Sequence, residues 1–152
     1  MEAVCRLMFD LRLRRCDLED LAHVERVEKA SFSRPFTRTT FEALLHSNPE
    51  GFILAEDEGN VIGYIVYSVS GNIGSIVSLA VLPEYRGRGI GQMLLDNALD
   101  TLGGKVDLVE LQVGVSNFAA ISLYLKSGFA VSCRIPRYYP DGEDAYLMKR
   151  IL

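Results

Sequence analysis

The residues of plainest chemical use lie between Pro83 and Leu95. There an apolar run that begins at Ile76 breaks, and a turn holding Arg86, Gly87, Arg88, Gly89 and Gly91 leads into an amphipathic stretch. Backbone N–H groups at a helix start lack intrahelical acceptors and sit at the positive end of the helix dipole, so this arrangement suits an anion such as a pyrophosphate. Glycine costs about 1 kcal/mol relative to alanine inside a helix, and so needs a reason. Close approach of a phosphate to the main chain would account for Gly89 and Gly91, and a flexible turn accounts for them as well. No Lys-Ser or Lys-Thr follows, which disfavours a P-loop, and Gly87, Gly89 and Gly91 alternate where a dinucleotide fold has G-x-G-x-x-G. The spacing that fits is R-x-x-G-x-G over residues 86–91.

These residues need elements to hold them. Phe9, Leu11 and Leu13 alternate with polar residues and predict a first strand. Asp17 can cap a helix whose apolar face is Leu18, Leu21 and Val24, and Thr39 with Glu42 makes a capping box for a second helix bearing Phe41, Leu44 and Leu45. Strands are expected at 51–57, 61–69 and 73–81, with turns at Glu58-Gly59-Asn60 and Ser70-Gly71-Asn72. The helix after the glycine turn ends at Gly103-Gly104. A strand at 108–115, a helix at 117–127 closed by Gly128, and strands at 130–135 and 144–150 complete the chain. Alternation along 108–115 puts Glu110, Gln112 and Gly114 on one face and Leu111, Val113 and Val115 on the other.

Composition narrows the classes. With 152 residues, 49% of them hydrophobic, the chain can bury a core as one domain. A net charge of −4 argues against a general nucleic-acid or membrane-surface binder, whose footprint is basic. No apolar stretch approaches the roughly 20 residues that span a bilayer, and MEAVCRLMFD lacks the apolar region of a signal peptide, so a cytoplasmic location is expected. Cys5, Cys16 and Cys133 are odd in number and scattered. They support neither a disulfide framework nor a zinc site, and with only His23 and His46 to add, no metal is expected.

R-x-x-G-x-G after a strand, SNFAAISLYLKSGF at 116–129 and RYYPDGEDAYLMKRIL at 137–152 occur in one order. On these three motifs, and over nearly its whole length, the chain resembles the GNAT acyl-CoA-dependent N-acetyltransferases. Within them it is similar to the N-terminal (α-amino) acetyltransferases, the RimI-like ribosomal-protein enzymes and their archaeal relatives. The resemblance implies a GNAT fold in a single domain over residues 1–152, of mixed α/β class, with a sheet of six or seven strands and about four helices. It implies acetyl-CoA as co-substrate and the N-terminal α-amine of a protein or peptide as acceptor, a ribosomal protein among the candidates. Gly87 to Gln92, through Ile90, would contact the pyrophosphate, with Arg86 or Arg88 adding charge. Leu79, Ala80 and Val81 would pair with the pantetheine arm through main-chain bonds, where side chains alone show only a buried strand.

The other roles follow in the same way. Asn117 is a natural helix cap, and the resemblance adds a contact to CoA. Tyr124 has the spacing of a core residue, yet its phenol, with an ordinary pKa of about 10, suits protonation of a thiolate, and its place matches the family's proton donor. RimI-like enzymes carry a glutamate base in the strand where this chain has Gln112, an amide that cannot accept a proton. Glu110 could substitute through water, or be a solvated strand-end carboxylate, and Glu28 is a weaker candidate. Tyr138 and Tyr139 would border a peptide groove, with Phe32 and Phe36 as its opposite wall, although chance exposure and core packing explain these aromatics too. An α-amine, with pKa near 7.7–8.0, is roughly one-tenth neutral at pH 7, whereas lysine, near 10.4, is almost wholly charged, so Gln112 disfavours lysine more than an N-terminus. Two rivals stand beside an N-terminal acetyltransferase. One acetylates lysine or small amines on the same fold, and the other is an acyl-CoA-binding sensor with weak catalysis.

Overall fold

Three strands with tight turns between them form the first half of a seven-stranded sheet. In a computed structural model describing residues 11–152, they are β2 (Phe52–Asp57), β3 (Asn60–Ser70) and β4 (Ile73–Val81). Left-handed backbone at Glu58 and Gly59, with φ of 50° and 83°, closes the first turn, and Gly71 at φ 60° serves the second. Before them come β1 (Leu11–Arg15), α1 (Leu21–Ser31) and α2 (Arg38–Ser47). After them come α3 (Ile90–Leu102), β5 (Leu108–Gly114), α4 (Phe118–Lys126), β6 (Ala130–Ile135) and β7 (Ala145–Ile151). The sheet order is β1-β2-β3-β4-β5-β7-β6, and the expected mixed character lies in β5, parallel to β4 and antiparallel to β7. Seven strands and four α-helices among the described residues agree with the expected architecture.

Two helix starts differ from expectation. Thr37, in extended conformation at φ −83° and ψ 168°, caps α2 by accepting from the Thr40 N–H at 3.3 Å, which leaves Thr39 inside the helix. The residue that leaves the extended region last is the one whose side chain can reach back to the first turn, and here that is Thr37. Asp17 precedes a 3-10 turn, Leu18–Asp20, and the α-helix begins only at Leu21. Leu18 is accordingly 66% exposed, while Leu21 and Val24 are fully buried. Asp20 accepts from the Asp17 N–H at 2.8 Å and from both terminal nitrogens of Arg14, tying the turn to β1. Phe9, part of the expected first strand, lies outside the described residues.

By internal contacts the chain divides into two compact units, residues 11–67 with 78–98 and residues 68–77 with 99–152. In the first, Leu21, Val24 and Val27 of α1 are buried, as is an aromatic group in which Phe41 lies 5.6 Å from Tyr64 and 6.1 Å from Phe52. In the second, Val109, Leu111 and Val113 of β5 are buried along with Tyr124, Phe129, Ala145 and Met148. No helix of the described residues is long and apolar enough to cross a membrane.

Candidate active site

In the first unit the glycine turn has the geometry that an anion cradle needs. Gly87 and Gly89 take φ of 76° and 82°, a region that side chains with a Cβ rarely enter, and a Cβ built on either would meet nothing within 4 Å. Gly91 already belongs to α3, whose first helical bond runs from the Met93 N–H to the Gly89 carbonyl at 3.0 Å. The main chain here is open, and the first-turn N–H groups of α3 have no acceptor within the helix. The two arginines divide their work. Arg86 donates to the Val81 carbonyl at 3.0 Å and to Ser31 Oγ at 3.1 Å, which braces the turn against the end of β4. Arg88 is exposed, with its guanidinium 5.2 Å from the centre of the Tyr85 ring, and Tyr85 donates to Asp57 at 2.9 Å.

β4 leads directly into this turn. Its parallel register with β5 pairs Ile73 with Leu108, Gly74 with Val109 and Ser75 with Glu110, which leaves the main chain of Leu79, Ala80 and Val81 outside that ladder. Ala80 is buried, whereas Leu79 and Val81 are half-buried. Close packing behind the strand explains Gly63, where a Cβ would come within 3.0 Å of the Ala80 carbonyl.

Glu28 sits at the centre of the same unit. It is 2% exposed, and its two carboxylate oxygens have different partners. Oε2 accepts from the Phe36 N–H at 2.7 Å, and Oε1 accepts from the Tyr64 hydroxyl, which is itself 2.7 Å from Ser78 Oγ. Burial pushes the Glu28 carboxyl above its ordinary value, opposed by the Phe36 N–H and the Tyr64 hydroxyl. Phe36 is 36% exposed and meets Phe41 edge-on at 5.7 Å, and Phe32 is half-buried. Tyr64 and Ser78 did not figure among the sequence candidates. The available signal was Glu28 itself, seven residues beyond Leu21 and four beyond Val24, where helical spacing puts a charge on the buried stripe.

The second unit holds the remaining candidates. The alternation in β5 is as expected, with Gln112 exposed, Glu110 half-buried, and Val109, Leu111 and Val113 buried. Glu110 stands opposite Lys149 of β7. Asn117 caps α4 by accepting from the Ala120 N–H at 3.3 Å. Tyr124 is 7% exposed and packs edge-on against Phe129 at 5.8 Å, and burial pushes its phenol well above the ordinary value. Tyr138 is 46% exposed, and its ring meets the half-buried Tyr139 edge-on at 4.9 Å. The segment carrying these tyrosines is fastened by two acids that sequence reasoning passed over. Glu143 accepts from the Ser116 N–H at 3.0 Å and the Ser116 hydroxyl at 2.5 Å, while Asp144 accepts from the Arg137 N–H at 2.9 Å and from Arg134 at 2.7 Å. Gly114 makes room for this, since a Cβ there would lie 2.8 Å from Glu143 Oε1. Among the described residues no group of three His, Cys, Asp or Glu side chains could hold a metal ion.

Comparison with known proteins agrees with the geometry. An N-alpha-acetyltransferase of Sulfolobus acidocaldarius is 32% identical, over 90% of this chain and 90% of its own length. A putative ribosomal protein bS18-alanine N-acetyltransferase of Bacillus subtilis is 34% identical, over 90% of this chain and 92% of its own. Among solved structures, one of the NatC complex bound to Gag peptide and CoA contains a chain that superposes with a TM-score of 0.86 at 29% identity, covering 94% of this chain and 99% of that one. Residues 6–129 match the acetyltransferase (GNAT) family as a whole. A family match over most of the chain, together with relatives 32% and 34% identical over nine-tenths of it, shows that the chain belongs to the acetyltransferase (GNAT) family.

Proposed function

We propose that this chain is one acetyltransferase domain that moves the acetyl group of acetyl-CoA to the N-terminal α-amine of a protein or peptide. The observation that carries this most directly is the open space at Gly87 and Gly89, because a pyrophosphate needs close approach to N–H groups with no Cβ in the way. The residues present fit CoA. Gly87, Arg88, Gly89, Ile90, Gly91 and Gln92 would hold the pyrophosphate, with Arg88 as the charged contact in place of Arg86. Leu79 to Val81 offer main-chain groups to the pantetheine arm, and Asn117 serves as helix cap and CoA contact together. The names of the relatives, an N-alpha-acetyltransferase and a ribosomal-protein-alanine acetyltransferase, favour a protein N-terminus as acceptor.

Acetyl transfer to an amine forms a C–N bond and breaks the C–S bond of the thioester. The departing thiolate needs a proton, and the attacking nitrogen must lose one. Tyr124 would supply the first. Burial keeps its phenol protonated across the working range, and solvent restores the proton after each turnover. Gln112 cannot receive the second, and Glu110, half-buried opposite Lys149, remains the relayed alternative in β5. The amine must enter neutral, which favours α-amines over lysine at neutral pH. Tyr138 and Tyr139 in one unit, and Phe32 and Phe36 in the other, are the aromatic candidates for contact with the peptide. A cytoplasmic location is part of this reading.

The test is thiol release from acetyl-CoA with N-terminal peptides, N-blocked lysine peptides and polyamines. N-terminal peptides should be the preferred acceptors, with turnover at subsaturating peptide rising through about pH 7.7–8.0. A profile flat from about pH 6 to 8, or efficient acetylation of N-blocked lysine peptides, would overturn the assignment. CoA binding without thiol release would instead favour the sensor, for which Gln112 is the supporting residue.

A further inference from the structure

Outside the groups assigned above, Glu28, Tyr64 and Ser78 form a hydrogen-bonded chain whose directions follow from its inner end when Glu28 is ionised. The Phe36 N–H can only donate, so Glu28 Oε2 accepts from it. The Tyr64 hydroxyl has one proton and gives it to Glu28 Oε1. The contact of 2.7 Å between Tyr64 and Ser78 must then run the other way, with the Ser78 hydroxyl donating to the Tyr64 oxygen. Ser78 has thereby spent its own proton, and what it offers to anything arriving beside it is an oxygen acceptor, polarised by a buried carboxylate two bonds behind. Ser78 is half-buried, and it immediately precedes Leu79, the first residue of the segment assigned to the pantetheine arm.

We propose that Ser78, Tyr64 and Glu28 form an oriented proton relay that takes the proton shed by the substrate nitrogen as the new C–N bond forms. This rests on the acetyltransferase function proposed above and supplies the acceptor that Gln112 cannot provide. The balance is simple. The nitrogen of the tetrahedral intermediate gives its proton to Ser78 Oγ, Ser78 passes its own proton to the Tyr64 oxygen, and Tyr64 passes its proton to Glu28, which ends as the carboxylic acid. The same shift in reverse returns that proton to solvent by way of Ser78 after the product leaves. Ser78 alone touches substrate, and Tyr64 and Glu28 orient and charge it from behind. Free amine is still needed for attack, so the dependence on the α-amino pKa stands.

Three variants separate a relay from a merely structural contact. Ser78→Ala removes the outer hydroxyl and leaves both Glu28 bonds in place, and should lower turnover about 10²-fold, as loss of general base catalysis does, with acetyl-CoA affinity unchanged by calorimetry. Ser78→Thr keeps the hydroxyl and should restore most of the rate. In Glu28→Gln the amide oxygen must stay with the Phe36 N–H, so its NH2 faces Tyr64, and the phenol turns to donate to Ser78. Every group keeps a partner, but the direction of the chain is reversed, and turnover should fall as far as in Ser78→Ala. Because the two changes disable one relay, the double variant should be no slower than either single variant. Turnover is measured with the acceptor that the wild type uses best in the panel above. A wrong assignment of the acceptor then shows in the panel, while a failed relay shows in these ratios. Ser78→Ala within threefold of wild type, or losses that multiply in the double variant, would overturn the relay.

Discussion

Replacing Glu28 tests whether a carboxylate truly stands buried beneath the Phe36 loop. Glu28→Ala leaves the Phe36 N–H without an acceptor, at about 1–3 kcal/mol, and removes one buried methylene, at about 0.8 kcal/mol. Tyr64 escapes the same fate by turning its hydroxyl to Ser78, so the total loss should be about 2–4 kcal/mol. Glu28→Gln should cost far less near neutral pH, since its amide can satisfy both partners and carries no charge to desolvate. The two side chains also differ in pH dependence. Burial raises the Glu28 carboxyl in the folded protein above its ordinary value of about 4.5, so the folded state binds this proton more tightly than the unfolded one. The stability tied to that proton is complete below the ordinary value and is lost as pH rises through the raised one. Within that window wild type should lose stability relative to Glu28→Gln at up to about 1.4 kcal/mol per pH unit. Urea denaturation of both proteins at several pH values from 4 to 8 measures the difference directly, because all other titrations cancel. A difference that stays constant, or one in which wild type gains on the variant as pH rises, would refute a desolvated carboxyl at this position.

Two further outcomes concern the co-substrate and the acid. Gly89→Glu puts bulk and like charge where the pyrophosphate should lie, and should abolish acetyl-CoA binding by calorimetry while the protein stays folded, with a cost of about 1–2 kcal/mol for a side chain at φ 82°. Unchanged affinity would move the cofactor elsewhere. Tyr124→Phe should keep acetyl-CoA affinity and lower turnover about 10²–10⁴-fold in a thiol-release assay, and a loss below about threefold would return Tyr124 to a packing role beside Phe129.

Elements and motifs were legible in the sequence where their causes are local. Alternation at 108–115 placed Gln112 outward and Leu111 inward because a strand's period depends only on its own backbone, and the glycine turn revealed itself because left-handed residues favour glycine whatever surrounds them. Helix starts were less legible. Thr37 and Thr39 are equally good caps by type, and which of them leaves the extended region last depends on how the Phe32–Phe36 segment is held by Glu28. The site divides in the same way. The R-x-x-G-x-G turn could be read from its spacing, whereas the roles expected of Asn117 and Tyr124 came from the family resemblance, and the bond from Arg86 to the Val81 carbonyl could not be read at all, since the turn's path in space places that carbonyl. Glu28, Tyr64 and Ser78 lie on a helix and two strands, 36 and 14 positions apart, and nothing in their sequence neighbourhoods joins them. Local propensity acts over a few residues, whereas a hydrogen bond acts over about 3 Å. Sequence by itself therefore determined the elements, the family and the glycine turn, and tertiary packing alone decided which buried carboxylate stands behind β4.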